Sequence, residues 1–321
     1  VHTASGIVLL LSVAPGDTVH ETASGDCFLR IGDESRKLTF AQRRELEFDR
    51  GTMPFDGTPS PINDYSPKLA EDYRMLLGAA TIEGALKARN LLVRGGALTT
   101  AGYLLLSDHP QEAFPNAYVR VIKYDDVMRG TGPRQTVVAG QDLRFEGPLP
   151  QQIDRAAEAI DRLVPKRQAL ADSGRFEAVA IVPRAAWLEG LVNAVTHRSY
   201  SMVGDHIRVE IFPDRIEISS PGRFPGLADP DNPLGIDRHA RNPRIARALA
   251  EFGITQELGE GIRRIFDEMR RRGLTDPLYE QGASSVHLVL SAADALPANI
   301  TQNFRRPAFK PSMRSAAPAG R

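Results

Sequence analysis

Glu189, Asn193 and His197 recur at intervals of four residues in the segment Trp187-Leu-Glu-Gly-Leu-Val-Asn-Ala-Val-Thr-His-Arg-Ser-Tyr200. On a helix that spacing puts a carboxylate, an amide and an imidazole on one face. Trp187, Leu191 and Val195 repeat with the same period on another face, which supplies a side to bury. A carboxylate and an amide one turn apart can hold a metal ion or a water beside a phosphate. Glu189 would then activate water and Asn193 would help to hold Mg2+. The alternative is a solvated helix face, with His197 a cap or core residue.

Few other patterns carry chemistry. The chain contains no Gly-x-x-x-x-Gly-Lys-Ser/Thr and no Gly-x-Gly-x-x-Gly after a strand, which closes the two commonest nucleotide routes. Gly259-Glu260-Gly261 directly precedes a helix, and its free amides could receive an anion, although Glu260 opposes one. The same three residues also read as a flexible lead-in. No Cys/His/Asp set has zinc spacing and no Gly-x-Ser-x-Gly elbow occurs. Arg238, Arg241, Arg244 and Arg247 recur every three residues across a helix start, where they could meet phosphates of a nucleotide or of DNA. Arg263, Arg264, Arg270, Arg271 and Arg272 make the next helix basic, offset by Asp267 and Glu268; a solvated, ion-paired face competes with a nucleic-acid stripe.

The elements that must position these residues are patterned best in the C-terminal half. Asp205–Phe212 and Arg215–Ser219 alternate polar and apolar residues around Pro213-Asp214, which predicts a hairpin with one buried face. Ser220-Pro-Gly-Arg-Phe-Pro-Gly226 reads as a loop. Asn242 is expected to cap a helix with Pro243 at its first position and Gly253 past its end. Ile262, Ile265, Phe266 and Met269 predict the next helix, ending at Gly273, and Ser285–Leu290 a last strand.

Upstream, Pro183 is expected within the first turn of the Trp187 helix, and the segment from Gln151 to Leu163 has a helical apolar period. Val127 to Gly147 reads as a long excursion or hairpin. Ser66-Pro67 opens a helix reaching about Leu77, Leu86–Val93 suggests a short one, and Thr39 with Gln42 resembles a capping box. Gly6–Val13 and Cys27–Ile31 read as strands. The whole is α+β, with a domain boundary near residues 125 to 150.

The 321 residues suffice for two domains, and 40 basic against 40 acidic residues leave no global field towards nucleic acid or anionic lipid. One cysteine, Cys27, excludes an intrachain disulfide and a thiolate metal cluster, which predicts a reducing, cytoplasmic setting. Ile7–Leu11 is too short to span a membrane and lacks the basic flank of a signal peptide. The chain starts without methionine and is read as a fragment or a processed chain. Residues 298 to 321 hold five basic residues and no acidic ones, which reads as an extended tail able to touch nucleic acid.

Four blocks, in order, carry a resemblance: Trp187–Tyr200, Asp214-Arg-Ile-Glu-Ile-Ser-Ser-Pro-Gly222, Arg241-Asn-Pro-Arg-Ile245 and Gly259-Glu-Gly-Ile262. Together they resemble the C-terminal module of bacterial transcriptional regulators often labelled RecG-like ATP-dependent DNA helicases. That module is similar to the ATPase fold of gyrase B, heat-shock chaperones, histidine kinases and mismatch-repair proteins (the GHKL or Bergerat fold). Phe28-Leu-Arg-Ile-Gly32, Leu98-Thr-Thr-Ala-Gly-Tyr-Leu-Leu-Leu106 and Pro110-Gln-Glu-Ala-Phe-Pro115 resemble the second part of a Schlafen AlbA-like domain. The resemblance implies a partial AlbA-like α/β domain over 1–125, a two-layer α/β sandwich of the Bergerat type over 126–295 and a basic tail over 296–321.

It also implies roles. Glu189 matches the general base and Asn193 the Mg2+ ligand; Ser220-Pro221-Gly222 matches the segment that meets adenine, and Gly259 and Gly261 the phosphate loop. His197, Arg241 and Asn242 fall in the matching blocks and are taken as nucleotide-binding candidates. ATP or ADP with Mg2+ is the implied cofactor. DNA and a second copy of the chain are the implied partners, the latter through exposed strand edges. Relatives usually carry Asp where this chain has Ser199, Asn where it has Ser220, and Gly-Thr-Gly where it has Gly259-Glu260-Gly261. A carboxylate beside the expected phosphates works against turnover more than against binding. Three readings follow: a DNA-associated regulator using nucleotide as a conformational ligand, an Mg2+-dependent ATP hydrolase, and an inert interaction or oligomerisation protein. Helicase activity is not expected, because motor motifs are missing.

Overall fold

A computed structural model describes residues 2–3, 6–7, 18–31, 34–49, 54–170, 174–224, 230, 232–235, 240–255, 260–282 and 284–294. Gly259, Arg238, most of the apolar run after Ile7 and the tail from 296 onwards lie outside the described residues. Two short strands, β1 (His2–Thr3) and β2 (Gly6–Ile7), pair with each other, as do β3 (Phe28–Ile31) and β4 (Glu34–Lys37). Helix α1 (Phe40–Asp49) starts with the reciprocal bonds of a capping box. The Thr39 amide donates to Gln42 Oε1 at 3.0 Å and the Gln42 amide to Thr39 Oγ1 at 3.3 Å.

Helices α2 (Pro67–Leu76), α3 (Ile82–Ala88) and α4 (Thr100–Leu106) follow. The short helix expected at Leu86–Val93 starts earlier, because Thr81 caps it by accepting from the Gly84 amide. It ends where Asn90 turns to a φ of 54°. Every residue of α4 is buried. Strand β5 (Val119–Tyr124) is followed by a 3-10 turn and β6 (Val137–Phe145), so the polar excursion closes as an antiparallel hairpin arm. Helix α5 (Leu149–Leu163) leads to a small hairpin, β7 (Lys166–Leu170) and β8 (Phe176–Ala180), then to α6 (Arg184–Thr196). Pro183 stands one residue before α6 rather than inside it.

Strands β9 (Ile207–Ile211) and β10 (Arg215–Pro221), helices α7 (Pro243–Glu251) and α8 (Gly261–Arg271), and strands β11 (Leu278–Gln281) and β12 (Ser285–Ser291) complete the chain. β11 was not anticipated: four residues with every second one exposed give little pattern. The main sheet has the order β11-β12-β10-β9-β5-β6, antiparallel except between β5 and β9. The fold is a mixed α/β one. A boundary at 125/126 falls inside this sheet, since β5 lies before it and the other five strands after it.

One core sits between the sheet and the helices. Val119, Val121, Val209, Ile211, Ile216, Ile218, Leu288 and Leu290 face it from the strands, and Ile153, Ile160, Trp187, Leu191, Val195, Ile245 and Ile265 from the helices. The period of two puts Arg120, Arg208, Glu210, Glu217, Ser219 and His287 on the opposite face. Gly190 lets α6 lie directly on the sheet: a Cβ there would stand 2.9 Å from both Ile218 Cδ1 and Leu288 Cδ2. Among the described residues no helix is long and apolar enough to cross a membrane.

The start of α7 corrects one expectation. Asn242 occupies the cap position, but its side chain makes no capping bond. The cap comes from far away in sequence. Asp56 Oδ2 accepts from the amides of Arg244 at 2.7 Å and Ile245 at 3.3 Å, and Asp56 Oδ1 meets Arg244 Nη1 at 3.0 Å. Burial raises the Asp56 carboxyl, and the Arg244 amide and guanidinium oppose that rise. Asp56→Ala is expected to lower the unfolding free energy by about 2 kcal/mol, read by urea denaturation. An unchanged urea midpoint would mean that α7 does not depend on this carboxylate.

Candidate functional site

Helix α6, which carries the candidate residues Glu189 and Asn193, is sandwiched between the sheet and neighbouring helices. Trp187, Leu191 and Val195 anchor it in the core at 1%, 0% and 0% exposure, which leaves Glu189 and Asn193 half-buried beside α8. The Asn193 amide bonds to the Glu189 carboxylate, and Arg264 Nη1 from the first turn of α8 reaches Glu189 Oε2 at 3.3 Å. Burial raises the Glu189 carboxyl above its usual range, against the pull of Arg264 and then of Asn193. Tyr279 stands close enough for its phenol to be raised further by Glu189, after burial itself.

Gly261 opens α8 against this pair. A side chain there would run into Glu189 Oε1 and come within 3.2 Å of Asn193 Nδ2. The glycine expected to approach a phosphate therefore approaches the carboxylate of α6. The positive end of the α8 dipole and the Arg264 guanidinium both face Glu189, which already serves them as counter-anion.

A second group gathers at the C-terminal end of α6. The His197 amide closes the helix by donating to Asn193 O at 2.9 Å. Asn242 is fully buried, and its Nδ2 donates to Thr196 O at 2.9 Å and Arg198 O at 2.8 Å, tying the end of α6 to the start of α7. Ser220 Oγ donates to Ala194 O at 2.8 Å. The Gly222 amide donates to Ser284 O at 2.9 Å, and buried Arg241 packs over Gly222 while its Nη2 donates to Arg223 O at 2.5 Å.

Glu189, Asn193 and Gly261 thus meet at the middle of α6; His197, Ser220, Gly222, Arg241 and Asn242 surround its end. Sequence reasoning missed Arg264 and Tyr279 as neighbours of Glu189. Arg264 was visible only as one arginine in a basic helix, and nothing in the local pattern marks Tyr279. Among the described residues no group of three or more His, Cys, Asp and Glu side chains could hold a metal ion. An amide with one carboxylate would need phosphate and water oxygens to complete an Mg2+ shell.

Residues 204–290 match the family model described as "Putative ATP-dependent DNA helicase recG C-terminal". The match takes in Ser220, Gly222, Arg241, Asn242 and Gly261 but begins after α6, so it leaves out Glu189 and Asn193. No curated protein matches the chain. Among solved structures, the DIP2311 protein from Corynebacterium diphtheriae is similar, with a TM-score of 0.59 and 22% identity over 85% of this chain and 55% of that one. The chain spans about half the length of that protein, and the likeness is one of fold.

The Glu189 carboxyl gives a pH-dependent signature. An acid whose pKa is raised by folding favours the folded state when protonated. Glu189→Gln should therefore stabilise the protein at neutral pH. The gain should shrink as pH falls through the raised pKa and vanish below the ordinary value of 4.5. Urea midpoints at several pH values measure it; a gain constant with pH would show that the carboxylate is not held at a cost.

Proposed function

We propose that the chain is a DNA-associated regulator with a nucleotide module of the RecG-like, Bergerat type, in which ATP or ADP acts mainly as a conformational ligand. The observation that carries this reading is the meeting of Glu189 and Asn193 on α6 with Gly261 at the start of α8. A carboxylate, an amide oxygen and a side-chain-free helix N-terminus are the parts that an Mg2+-bound triphosphate needs. Asn193 Oδ1 is the oxygen suited to Mg2+, since the amide nitrogen is turned to Glu189. When bound, the ion would neutralise phosphate charge beside that carboxylate.

Two contacts favour binding over hydrolysis. Glu189 is paired with Arg264, which lowers its readiness to take a proton from water. The Ser220 hydroxyl donates to Ala194 O, so only its lone pairs remain for a purine amino group. Hydrolysis with Glu189 as base is the second reading, favoured by the burial that raises that carboxyl towards neutral pH.

Calorimetric titration with ATP and ADP, with and without Mg2+, tests the proposal. Binding in the micromolar to millimolar range is expected, with Mg2+ tightening ATP and Asn193→Ala removing that gain. If ATP turns over, Glu189→Gln should abolish turnover and keep binding. The nucleotide reading is wrong if neither nucleotide binds at millimolar concentration. DNA association is tested apart: deleting residues 298–321 should weaken binding and flatten its salt dependence. Equal slopes with and without the segment would remove it from the interface.

A further inference from the structure

The face of the sheet turned away from the helices carries an arrangement independent of the nucleotide reading. Arg208 on β9, Ser219 on β10, His287 on β12 and Glu280 on β11 stand in register in one row across four strands. Ser219 Oγ lies 2.6 Å from His287 Nδ1. His287 Nε2 lies 3.2 Å from Glu217 Oε2, two residues back along β10. The row forms a wall of an open depression of about 490 Å3, lined also by Arg129, Glu210, Gln281 and Ser285.

For a neutral His287, the chemistry of these three groups assigns who donates to whom. Burial would raise the Glu217 carboxyl, but His287, Arg215 and Arg129 outweigh it and hold it down to about 2. Glu217 is therefore an acceptor only, and the proton between it and His287 belongs to Nε2. A neutral imidazole with its proton on Nε2 has its lone pair on Nδ1, facing Ser219. The hydroxyl must then be the donor. A serine donating to an imidazole whose other nitrogen is anchored by a carboxylate is the functional core of acyl-transfer sites. The ring is turned the opposite way from the familiar serine hydrolases, where Nε2 faces the serine. The requirement is only that one nitrogen accepts while the other donates.

We infer that Ser219, His287 and Glu217 form a serine acyl-transfer site that hydrolyses short, polar acyl esters on the open face of the sheet. Ser219 Oγ bonds to the ester carbonyl carbon and its proton passes to His287 Nδ1. The carbon–oxygen bond to the leaving alcohol breaks, and that alcohol takes the proton. Water then attacks the acyl-serine, giving a proton to Nδ1, and Ser219 leaves with the proton returned. Glu217 stays ionised and steadies the imidazolium at Nε2. Arg208, beside Ser219 in the row and ion-paired with Asp205 at 3.0 Å, is the neighbouring positive charge for the carbonyl oxygen as it gains charge. The substrate class follows from the lining: Arg, Glu, Gln and Ser surround the depression, which suits a small polar acyl group and offers no apolar slot for a long chain.

The test uses the full chain with a fluorophosphonate probe and with p-nitrophenyl acetate. Peptide mapping should find one phosphonyl adduct, on Ser219. Ser219→Ala should abolish the adduct and lower p-nitrophenol release at least tenfold while unfolding stays cooperative and the midpoint falls by only a few degrees, the loss of one hydrogen bond. Glu217→Gln should slow labelling of Ser219 about tenfold while leaving it the labelled residue. An adduct elsewhere, no adduct, or wild-type ester hydrolysis by Ser219→Ala would overturn the inference.

Discussion

The geometry around Glu189 depends on how closely α6 can approach the sheet. At Gly190 the distance is set by backbone, with Ile218 and Leu288 filling the space where a side chain would project. That contact sinks Trp187, Leu191 and Val195 into the core and turns Glu189 and Asn193 along the surface of the sheet layer towards α8. A helix one methyl group further out would face the same residues into water. The polarity of the face would remain, while the desolvation that raises the Glu189 carboxyl and the reach of Arg264 would both weaken.

The consequence is electrostatic. Glu189 is buried enough to need a partner, and it has three kinds: the Asn193 amide, the Arg264 guanidinium and the N-terminal end of α8. A triphosphate entering here would compete with Glu189 for the same positive groups. Arg264, with a side chain 37% exposed, gives up Glu189 at less cost than the carboxylate would ionise alone, because its charge can be rehydrated. On the proposed reading, nucleotide affinity would turn on exchanging one anion for another rather than on filling a ready-made cationic pocket.

Local patterns were legible where one period or one cap determines the structure. The alternation of Ile207, Val209, Ile211, Ile216 and Ile218 identified the β9–β10 hairpin. Pro243 and Gly253 bounded α7, and Ile262, Ile265, Phe266 and Met269 gave α8. The spacing of Glu189 and Asn193 placed them on one face of α6, where the two side chains meet. The rest was hidden because its partners are remote. Asp56 caps a helix start 188 residues away from it, and Arg264 meets Glu189 across 75 residues. The assignment of Asn242 as a cap failed for the same reason: its buried amide was needed to join α6 to α7, and a distant carboxylate met the free amides instead.

Consecutive residues of β10 work on opposite sides of the molecule: Ser220 donates to the backbone of α6 and Ser219 faces His287. A slip of one residue would exchange them and bury Glu217, so something must pin the register. The open face does so with charge. Glu210 and Glu217 are directly opposed across β9 and β10, an arrangement that repels on its own. Arg129, from the turn joining β5 to β6, bonds to both carboxylates. Tyr124 donates to Glu210 at 2.9 Å, and Arg215 and His287 complete the set around Glu217. Only one register brings the two carboxylates under the same guanidinium. The polar excursion after β5 is thus part of what aligns the strands, and the ionised Glu217 that results is also the group that orients His287 towards Ser219.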